Sequence, residues 1–380
     1  MKIRYFDHAA TTAVKEEVLR EMLPYFLYNY GNASSIYSIG RKSKKAIEES
    51  RESVAKVLNA EAKEIYFTSC GTESDNLAIK GVAIKNKDKG KHIITSKIEH
   101  PAVLHTCQVL EKDGFEVTYL NVDKDGLIDL NELENNIRDD TILISIMFAN
   151  NEIGTIEPIK GIGEIAKRKN IIFHTDAVQA VGNINIDVKD MNIDMLSLSA
   201  HKFYGPKGVG AVYIKKDVEF EKIQDGGHQE KDKRAGTENV SGIVGLGKSI
   251  KIAYKNINEY NNKIMELREY YFNQIEEKIS DFKINGHRDK RLPGNANISF
   301  NNIAGDELLI YLDTLGICAS SGSACTSGSL NPSHVLTAIG LPYETSRGSL
   351  RITFGEDNTK EDIDFLVDAL KTKIDELREK

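Results

Sequence analysis

The sequence predicts an α/β protein whose larger part is a mostly parallel, mixed sheet with helices on its faces. Short, continuous apolar runs recur between about residue 60 and residue 215, and such runs are typical of strands buried on both faces. Helical patterns lie between these runs, as in a doubly wound sheet. Beyond about residue 280 the strands are shorter and alternate with helices, which indicates a smaller α+β domain.

Each element is predicted from its own stretch of sequence. The apolar runs predict strands at residues 65–68, 92–95, 117–120, 141–146, 171–174, 195–198 and 209–214. Helices are predicted at 73–85, 102–113 and 159–169, with one long helical stretch at about 238–280. The smaller part adds strands at 297–300 and 350–354 and a terminal helix at 360–379. We therefore predict a large domain of residues 15–255 and a small domain of residues 1–14 and 256–380.

Composition restricts the class of protein. Of the 380 residues, 40% are hydrophobic and 28% are charged, as in ordinary soluble globular proteins. The net charge of -7 differs from that of proteins that coat nucleic acids, so we expect no nucleic-acid partner. Four scattered cysteines are too few for a disulfide framework, and no apolar run resembles a signal peptide or a membrane span. We expect a cytoplasmic protein whose cysteines stay reduced, with no membrane partner.

Two ionisable side chains follow predicted strands. Lys202 lies just beyond the strand at 195–198, where α/β folds bind their ligands. Desolvation there would lower the pKa of its amine and make it a nucleophile able to form a Schiff base. Asp176 follows the strand at 171–174, and a carboxylate at that depth needs a cationic partner such as a protonated pyridine nitrogen. The alternatives are a surface lysine for Lys202 and a helix N-cap for Asp176.

A turn of small residues after the strand at 65–68 is a candidate phosphate site. Residues 68–74 read Thr-Ser-Cys-Gly-Thr-Glu-Ser and lead into a predicted helix. Free backbone N–H groups at a helix start, with nearby hydroxyls, bind phosphate. Helix capping alone would also explain the serines and threonines. Two asparagines at 150–151, after the strand at 141–146, add amides to the same rim of the sheet.

A set of histidine and cysteine residues near 100 does not indicate a metal site. His100 precedes a proline that suits the first turn of a helix. His105 and Cys107 follow within that predicted helix, and helical spacing places them on different faces. We therefore predict no zinc site here.

Cys325 differs from a typical free cysteine because it lies in a polar stretch. Residues 320–332 are rich in serine and glycine, whereas most free cysteines are buried and inert. No neighbour in sequence is cationic, so a thiol pKa below about 8.5 must come from the site that the thiol enters. An exposed cysteine with no role is the alternative.

These motifs together carry a family resemblance. The chain resembles the cysteine desulfurases of the NifS/IscS branch, which belong to the class V aminotransferases and share the PLP-dependent transferase fold, fold type I. The resemblance runs from Tyr-Phe-Asp-His-Ala-Ala-Thr-Thr at 5–12 to Ser-Leu-Arg-Ile at 349–352. Its most specific parts are Ser-Ala-His-Lys at 199–202, Arg-Ala-Gly-Thr-Glu-Asn at 234–239 and Ser-Gly-Ser-Ala-Cys at 321–325.

The resemblance implies pyridoxal 5'-phosphate as cofactor. The implied cofactor-binding residues are Gly71, Thr72, Asn151, Asp176, Gln179, Ser199, Ala200, His201, Lys202 and Thr237, the last from the partner subunit of a homodimer. Among them, Lys202 would form the Schiff base and move protons, Asp176 would pair with the ring nitrogen, and Gln179 would bind the phenolic oxygen. His100 would stack on the ring and act as an acid or base.

The resemblance also implies the substrate and the reaction. Arg351, with Asn151, would bind the carboxylate of L-cysteine. Cys325 would take the sulfur as a persulfide, leave L-alanine, and pass the sulfur to an acceptor protein such as an iron–sulfur scaffold. No intrinsic metal ion is implied, although the Cys325 persulfide could contact a transferred cluster. The alternatives are an aminotransferase, a selenocysteine lyase and a catalytically silent scaffold.

Overall fold

The computed structural model describes residues 2–321 and 333–379, so Cys325 lies outside the described residues. The strands are β1 Arg4–Tyr5, β2 Ile65–Thr68, β3 His92–Ser96, β4 Glu116–Leu120, β5 Thr141–Ser145, β6 Ile172–Asp176, β7 Met195–Ser199, β8 Gly210–Ile214, β9 Phe282–Ile284, β10 Asn295–Phe300, β11 Ile317–Cys318 and β12 Ser349–Thr353. The strands predicted between residues 65 and 214 are all present, with ends that differ from the predictions by at most two residues.

Helices fill the connections between the strands. They are α1 Glu16–Leu27, α2 Ser38–Leu58, α3 Gly71–Asn86, α4 Pro101–Lys112, α5 Leu130–Asn135, α6 Ile159–Lys169, α7 Val240–Lys255, α8 Ile257–Lys278, α9 Gly305–Thr314, α10 His334–Ala338, α11 Tyr343–Arg347 and α12 Lys360–Arg378. The prediction of one helix at 238–280 is wrong at Asn256, where φ is -138° and ψ is 41°. The helix is interrupted there because α7 packs against α1 and α2, whereas α8 packs against α12.

The larger sheet is mixed and mostly parallel, as predicted. Its strand order is β2-β8-β7-β6-β5-β3-β4. Only β8 runs against its neighbours, β2 and β7. The other neighbouring pairs are parallel. The carboxyl ends of β2, β3, β5, β6 and β7 therefore lie along one edge, where α/β proteins bind ligands.

Both faces of this sheet are covered by helices. Successive residues point to opposite faces, so Leu143 and Met195 pack with α3 and α4, while Ile144 and Leu196 pack with α2, α6 and α7. All four side chains are fully buried. This two-sided burial explains why the strands read as continuous apolar runs rather than as alternating patterns.

The remaining strands form two small sheets. The strands β9, β10 and β12 make an antiparallel sheet, and β1 pairs with β11 in parallel. Phe6, beside β1, belongs to a separate core with side chains of α8, α9 and α12. The N-terminal residues therefore pack with the C-terminal part of the chain. This packing supports the predicted domain division at residues 14/15 and 255/256, which stays a prediction.

Candidate active site

The carboxyl ends of β6 and β7 bring the strand-end residues together. Asp176 is the last residue of β6, Ser199 is the last residue of β7, and the two strands are parallel neighbours. A short helical turn, Ala200–Lys202, follows β7 at once and carries Lys202 over the same edge. Lys202 and Asp176 interact electrostatically, because the charge of Lys202 opposes part of the rise that burial causes in the pKa of Asp176.

The Lys202 amine contacts the N-terminal segment. Its Nζ donates to the carbonyl oxygens of Ala9 at 2.5 Å and Ala10 at 2.8 Å. The Nε2 of Gln179 donates to the same Ala9 oxygen at 2.9 Å. Ala9 therefore joins two of the residues predicted to bind the cofactor.

Burial shifts the pKa values of both Asp176 and His100. It raises the pKa of Asp176, and the nearby His100 and Lys202 only partly offset this shift. Burial lowers the pKa of His100, Asp176 opposes this, and Lys202 adds to it. The Nδ1 of His100 accepts the N–H of Ala102 at 3.1 Å, which leaves Nε2 to carry the proton of the neutral ring. A buried carboxylate of this kind fits a protonated ring nitrogen.

The alternative role predicted for Asp176, a helix N-cap, agrees only in part with the structure. Its Oδ1 accepts the backbone N–H of Val178 at 2.9 Å. Residues 177–183, however, form turns and no helix. The carboxylate therefore stabilises a local turn while it faces the strand-end site.

The start of α3 forms a cradle that fits a phosphate. A Cβ atom built on Gly71 would lie 2.5 Å from Cγ2 of Val178 and 3.7 Å from Cβ of Ser199, so a side chain here would require Val178 to move. The first N–H groups of a helix lack helical acceptors. The Oγ of Ser199 is buried and has no hydrogen-bond partner among the described residues. Unsatisfied donors of both kinds fit the phosphate of pyridoxal phosphate.

The other residues predicted to bind phosphate differ in exposure. Burial lowers the pKa of His201 to about 4, so its ring is neutral at pH 7. Thr72 and Thr237 are exposed. The loop of Thr237 is fixed to the first turn of α3 because Arg234 pairs with Glu73 at 2.7 Å. The phosphate contacts of these residues stay predictions.

Arg351 is a buried cation whose Nε–H group is unsatisfied among the described residues. It lies on β12, where its Nη2 pairs with Oδ1 of Asp7 at 2.8 Å and its Nη1 donates to the carbonyl of Asn151 at 3.1 Å. Its Nε is buried and has no hydrogen-bond partner in the described part of the chain. This free donor fits a substrate carboxylate. The role predicted for the Asn151 side chain stays a prediction.

The residues that flank 322–332 contact the same region. The Oγ of Ser320 donates to Oδ2 of Asp7 at 2.7 Å. The Oγ of Ser333 donates to Oε2 of Glu152, which is itself buried. The chain therefore enters and leaves the segment that contains Cys325 at two carboxylates beside Arg351.

Sequence analysis missed a group of buried ionisable residues behind Asp176. The Nε2 of His174 lies 3.7 Å from Oδ1 of Asp75 and 3.0 Å from the hydroxyl of Ser197. Burial, together with the charge of Asp176, raises the pKa of Asp75 well above its ordinary value. Burial also raises the pKa of Glu99. Charged residues inside apolar elements were the only available signal, because their partners are distant in sequence.

The structure also bears on metal binding and on membrane spanning. Residues 2–321 and 333–379 contain no group of three or more His, Cys, Asp or Glu side chains that could hold a metal ion. His105 is exposed and Cys107 is buried, so they lie on different faces of α4. No helix in the described ranges is long and apolar enough to cross a membrane.

Comparison with known proteins extends over nearly the whole chain. The family model "Aminotransferase class-V" matches residues 4–366. "Cysteine desulfurase IscS" of Clostridium botulinum is 59% identical over 377 residues, which cover 99% of this chain and 95% of the relative. The solved structure of a "NIFS-LIKE PROTEIN" gives a TM-score of 0.93 at 38% identity and covers 98% of this chain and 100% of that one. The structure "SspA in complex with cysteine" gives 0.83 at 41% identity and covers 92% and 98%.

The matched range contains all of the described site residues. Its mostly parallel sheet, the phosphate cradle of α3 and the lysine after β7 are the features expected of the predicted fold. Proteins of this family use pyridoxal phosphate, which is the group that Asp176 and Ser199 fit. The chain therefore belongs to the aminotransferase class-V family, among its cysteine desulfurases.

Proposed function

We propose that this chain removes sulfur from L-cysteine to give L-alanine and a persulfide on Cys325. The proposal rests on Ser320 and Ser333, which flank residues 322–332 and are hydrogen-bonded to the carboxylates beside Arg351. An aminotransferase needs no cysteine at 325. The identity to relatives named cysteine desulfurase, and the likeness to a structure with bound cysteine, support the same reaction.

The strand-end residues would hold pyridoxal 5'-phosphate. Lys202 would bind it covalently through Nζ, and Asp176 would pair with its ring nitrogen. The first turn of α3 and the Oγ of Ser199 would bind its phosphate. When bound, the cofactor supplies an electron sink for bond cleavage at the carbons of an amino acid.

Three side chains would orient the substrate and move protons. Arg351 would bind the substrate carboxylate through its free Nε, because a buried guanidinium donor gains most from an anionic acceptor. Lys202 would move protons at the substrate carbons. His100 is largely neutral at pH 7 because burial lowers its pKa, so its ring would accept or donate a proton at the substrate.

Cys325 would accept the sulfur atom. Its thiolate forms an S–S bond with the substrate sulfur while the C–S bond breaks. The electron pair of the broken bond stays on carbon, which takes up a proton to give L-alanine, so no external oxidant is required. The outer sulfur then passes to a thiol of an acceptor protein, for which we infer an iron–sulfur scaffold. We infer the cytoplasm as the compartment, since thiols stay reduced there.

A single experiment tests the sulfur acceptor. The purified holoenzyme is mixed with L-cysteine, and its peptides are examined by mass spectrometry for an added sulfur. We expect the added mass on Cys325, and we expect Cys325→Ala to keep the cofactor absorbance while it loses sulfide release. Cys107→Ala is the control, because burial raises the pKa of this thiol to about 12. Sulfide release by Cys325→Ala at the rate of the unaltered enzyme would show that another residue accepts the sulfur.

We infer a homodimer from an exposed apolar surface near the N-terminus. Eight large apolar or aromatic side chains between residues 19 and 37 are exposed. They are Leu19, Leu23, Phe26, Leu27, Tyr28, Tyr30, Ile36 and Tyr37. Monomeric proteins rarely expose large contiguous apolar surfaces, so this concentration of exposed apolar side chains favours a subunit interface. A second copy would cover it, and the exposed Thr237 would then be available to the phosphate site of the partner.

Sedimentation velocity tests the dimer. We expect the unaltered protein to sediment as a dimer of 42.4 kDa subunits and Phe26→Glu to shift it toward the monomer. Ile310→Glu is the control, because this exposed apolar residue lies on α9, outside the patch. A monomer at micromolar concentration for the unaltered protein contradicts the inference.

A further inference from the structure

Two carboxylates beside Arg351 have no role in the cofactor chemistry. Asp7 lies two residues beyond β1, and Glu152 follows the two asparagines between β5 and β6, so they are distant in sequence. Both hold a serine that borders residues 322–332. Neither residue was singled out by the sequence motifs.

Asp7 connects Arg351 to Ser320 directly. Its Oδ1 accepts from Nη2 of Arg351 at 2.8 Å, and its Oδ2 accepts from Oγ of Ser320 at 2.7 Å. Ser320 and Arg351 also exchange backbone hydrogen bonds as a bridge. One carboxylate therefore fixes both the predicted substrate-binding cation and Ser320, which lies two positions before the undescribed segment.

Glu152 performs the same task on the other side. Its Oε2 accepts from the Oγ of Ser333, the first residue after the undescribed segment. Its backbone carbonyl accepts from the side-chain amides of Asn295 and Asn297 at 3.2 Å each, which ties it to β10. The charge of Arg351 also acts on Glu152. The backbone of Glu152 is therefore held by contacts that do not involve Ser333.

The burial of these groups argues for a purpose beyond folding. Glu152 is 7% exposed, Ser333 is 6% exposed, and Arg351 is 3% exposed. An ionisable carboxyl group at this depth is costly, and burial raises the pKa of Glu152 to about 7. An apolar residue of similar size would pack without that cost, and the hydrogen bond from Ser333 offsets part of it.

We propose that Asp7 and Glu152 are positioning residues, which fix Ser320 and Ser333 beside Arg351 and thereby set the rate of sulfur transfer to Cys325. This inference rests on the proposed desulfurase function. Each carboxylate acts through a serine and not on the substrate. The hydrogen bonds that Ser320 and Ser333 donate to these carboxylates set the rate of sulfur transfer and contribute little to the binding of L-cysteine.

The test separates substrate binding from sulfur transfer. In Ser333→Ala the Glu152 carboxylate loses its hydroxyl donor, and in Glu152→Leu the serine loses its acceptor. We expect both variants to form the Cys325 persulfide about tenfold or more slowly in a single turnover, because small misplacement of a reacting group has effects of this size. The affinity for L-cysteine, read from the change in cofactor absorbance, should stay within about twofold.

Further variants identify the hydrogen bond as the cause. Glu152→Gln keeps an acceptor oxygen and should restore most of the transfer rate. The double variant Glu152→Leu with Ser333→Ala should be no slower than either single variant, because the two changes remove one interaction. Glu157→Gln is the matched control. This carboxylate is also buried, but it accepts the backbone N–H of Ile128 at 3.1 Å and not the hydroxyl of Ser333.

Asp7 is tested through its serine alone, since Asp7 also holds Arg351. Ser320→Ala should slow persulfide formation without weakening the binding of L-cysteine. Transfer at the unaltered rate in both Ser333→Ala and Ser320→Ala overturns the inference, as does an equal loss of substrate binding. If the unaltered enzyme forms no persulfide on Cys325, the proposed function fails instead, so the two failures are distinguishable.

Discussion

The candidate site joins two regions that the chain builds in different ways. The strand-end region of Asp176, Ser199 and Lys202 comes from two neighbouring strands of one sheet. The region around Arg351 is assembled across the whole chain, since Arg351 and Asp7 are separated by 344 positions in sequence. The first region presents an unsatisfied hydroxyl, and the second presents an unsatisfied guanidinium N–H.

This difference separates the tasks of the two regions. The strand ends offer donors and a buried carboxylate to a group that is held permanently, and they are fixed by the sheet. The Arg351 guanidinium is already paired with Asp7, and its Nε remains an unsatisfied donor for an anion that enters and leaves. Binding of a cofactor and turnover of a substrate thus rest on separate sets of contacts, which mutation can uncouple.

The largest effect is expected from a substitution in the strand-end region. Lys202→Ala should lower desulfurase activity by roughly a thousandfold or more, because the covalent anchor and the proton carrier are lost together. Borohydride reduction of the holoenzyme followed by intact mass analysis should show a cofactor adduct only in the unaltered protein. Lys207→Ala, which removes an exposed lysine nearby, is the control and should keep the adduct. An adduct that persists in Lys202→Ala would reject the lysine assignment.

The next largest effect is expected from a substitution that alters the Arg351 region and leaves the strand ends intact. Arg351→Lys should lower kcat/KM for L-cysteine by about a hundredfold, because lysine supplies a point charge without the planar fork. The absorbance of the bound cofactor should not change. Arg347→Lys, at an exposed arginine on α11, should match the unaltered enzyme. An unchanged KM in Arg351→Lys contradicts the role of Nε in carboxylate binding.

The same difference explains what the sequence alone could predict. Lys202 and Asp176 were found because each directly follows an apolar run, and the ends of parallel strands share one edge. Arg351 was identified only through the family resemblance, since nothing beside it in sequence indicates Asp7 or Asn151. Glu152 was passed over because its partner Ser333 lies 181 positions away. Contacts of this length depend on the packing of β12 and β10 against the large sheet, which local patterns do not encode.

The missed helix break has a similar cause. Asn256 lies in a stretch with three further asparagines at 258, 261 and 262, and asparagine is a weak helix former. The helical pattern nevertheless continues on both sides. The break is decided by α7 and α8 packing on different cores, which is a tertiary effect.

A smaller effect sharpens the description of the strand-end region. Burial and the charge of Asp176 raise the pKa of Asp75, so we predict that its neutral form is favoured. Asp75→Asn should therefore keep activity within about threefold, whereas Asp176→Asn should lose far more because its charge faces the cofactor ring. Steady-state rates with L-cysteine and a pH titration of the cofactor absorbance measure both. A large loss in Asp75→Asn would show that a charged Asp75 is required.

The smallest effect on activity comes from a buried carboxylate outside both regions. Burial raises the pKa of Glu157 from its ordinary 4.5 to about 8, and the hydrogen bond from Ile128 only partly opposes this. The folded state therefore binds a proton more tightly than the unfolded state. The stabilisation is complete below about pH 4 and is lost as the pH rises toward 8, by on the order of 1.4 kcal/mol per pKa unit at most. Glu157→Gln lacks this proton, so urea unfolding should show its stability relative to the unaltered protein increasing from pH 5 to pH 8.5 and then levelling off. A difference that is constant over this range would mean that the Glu157 carboxyl group titrates normally despite its burial, and the rate with L-cysteine should be unchanged throughout.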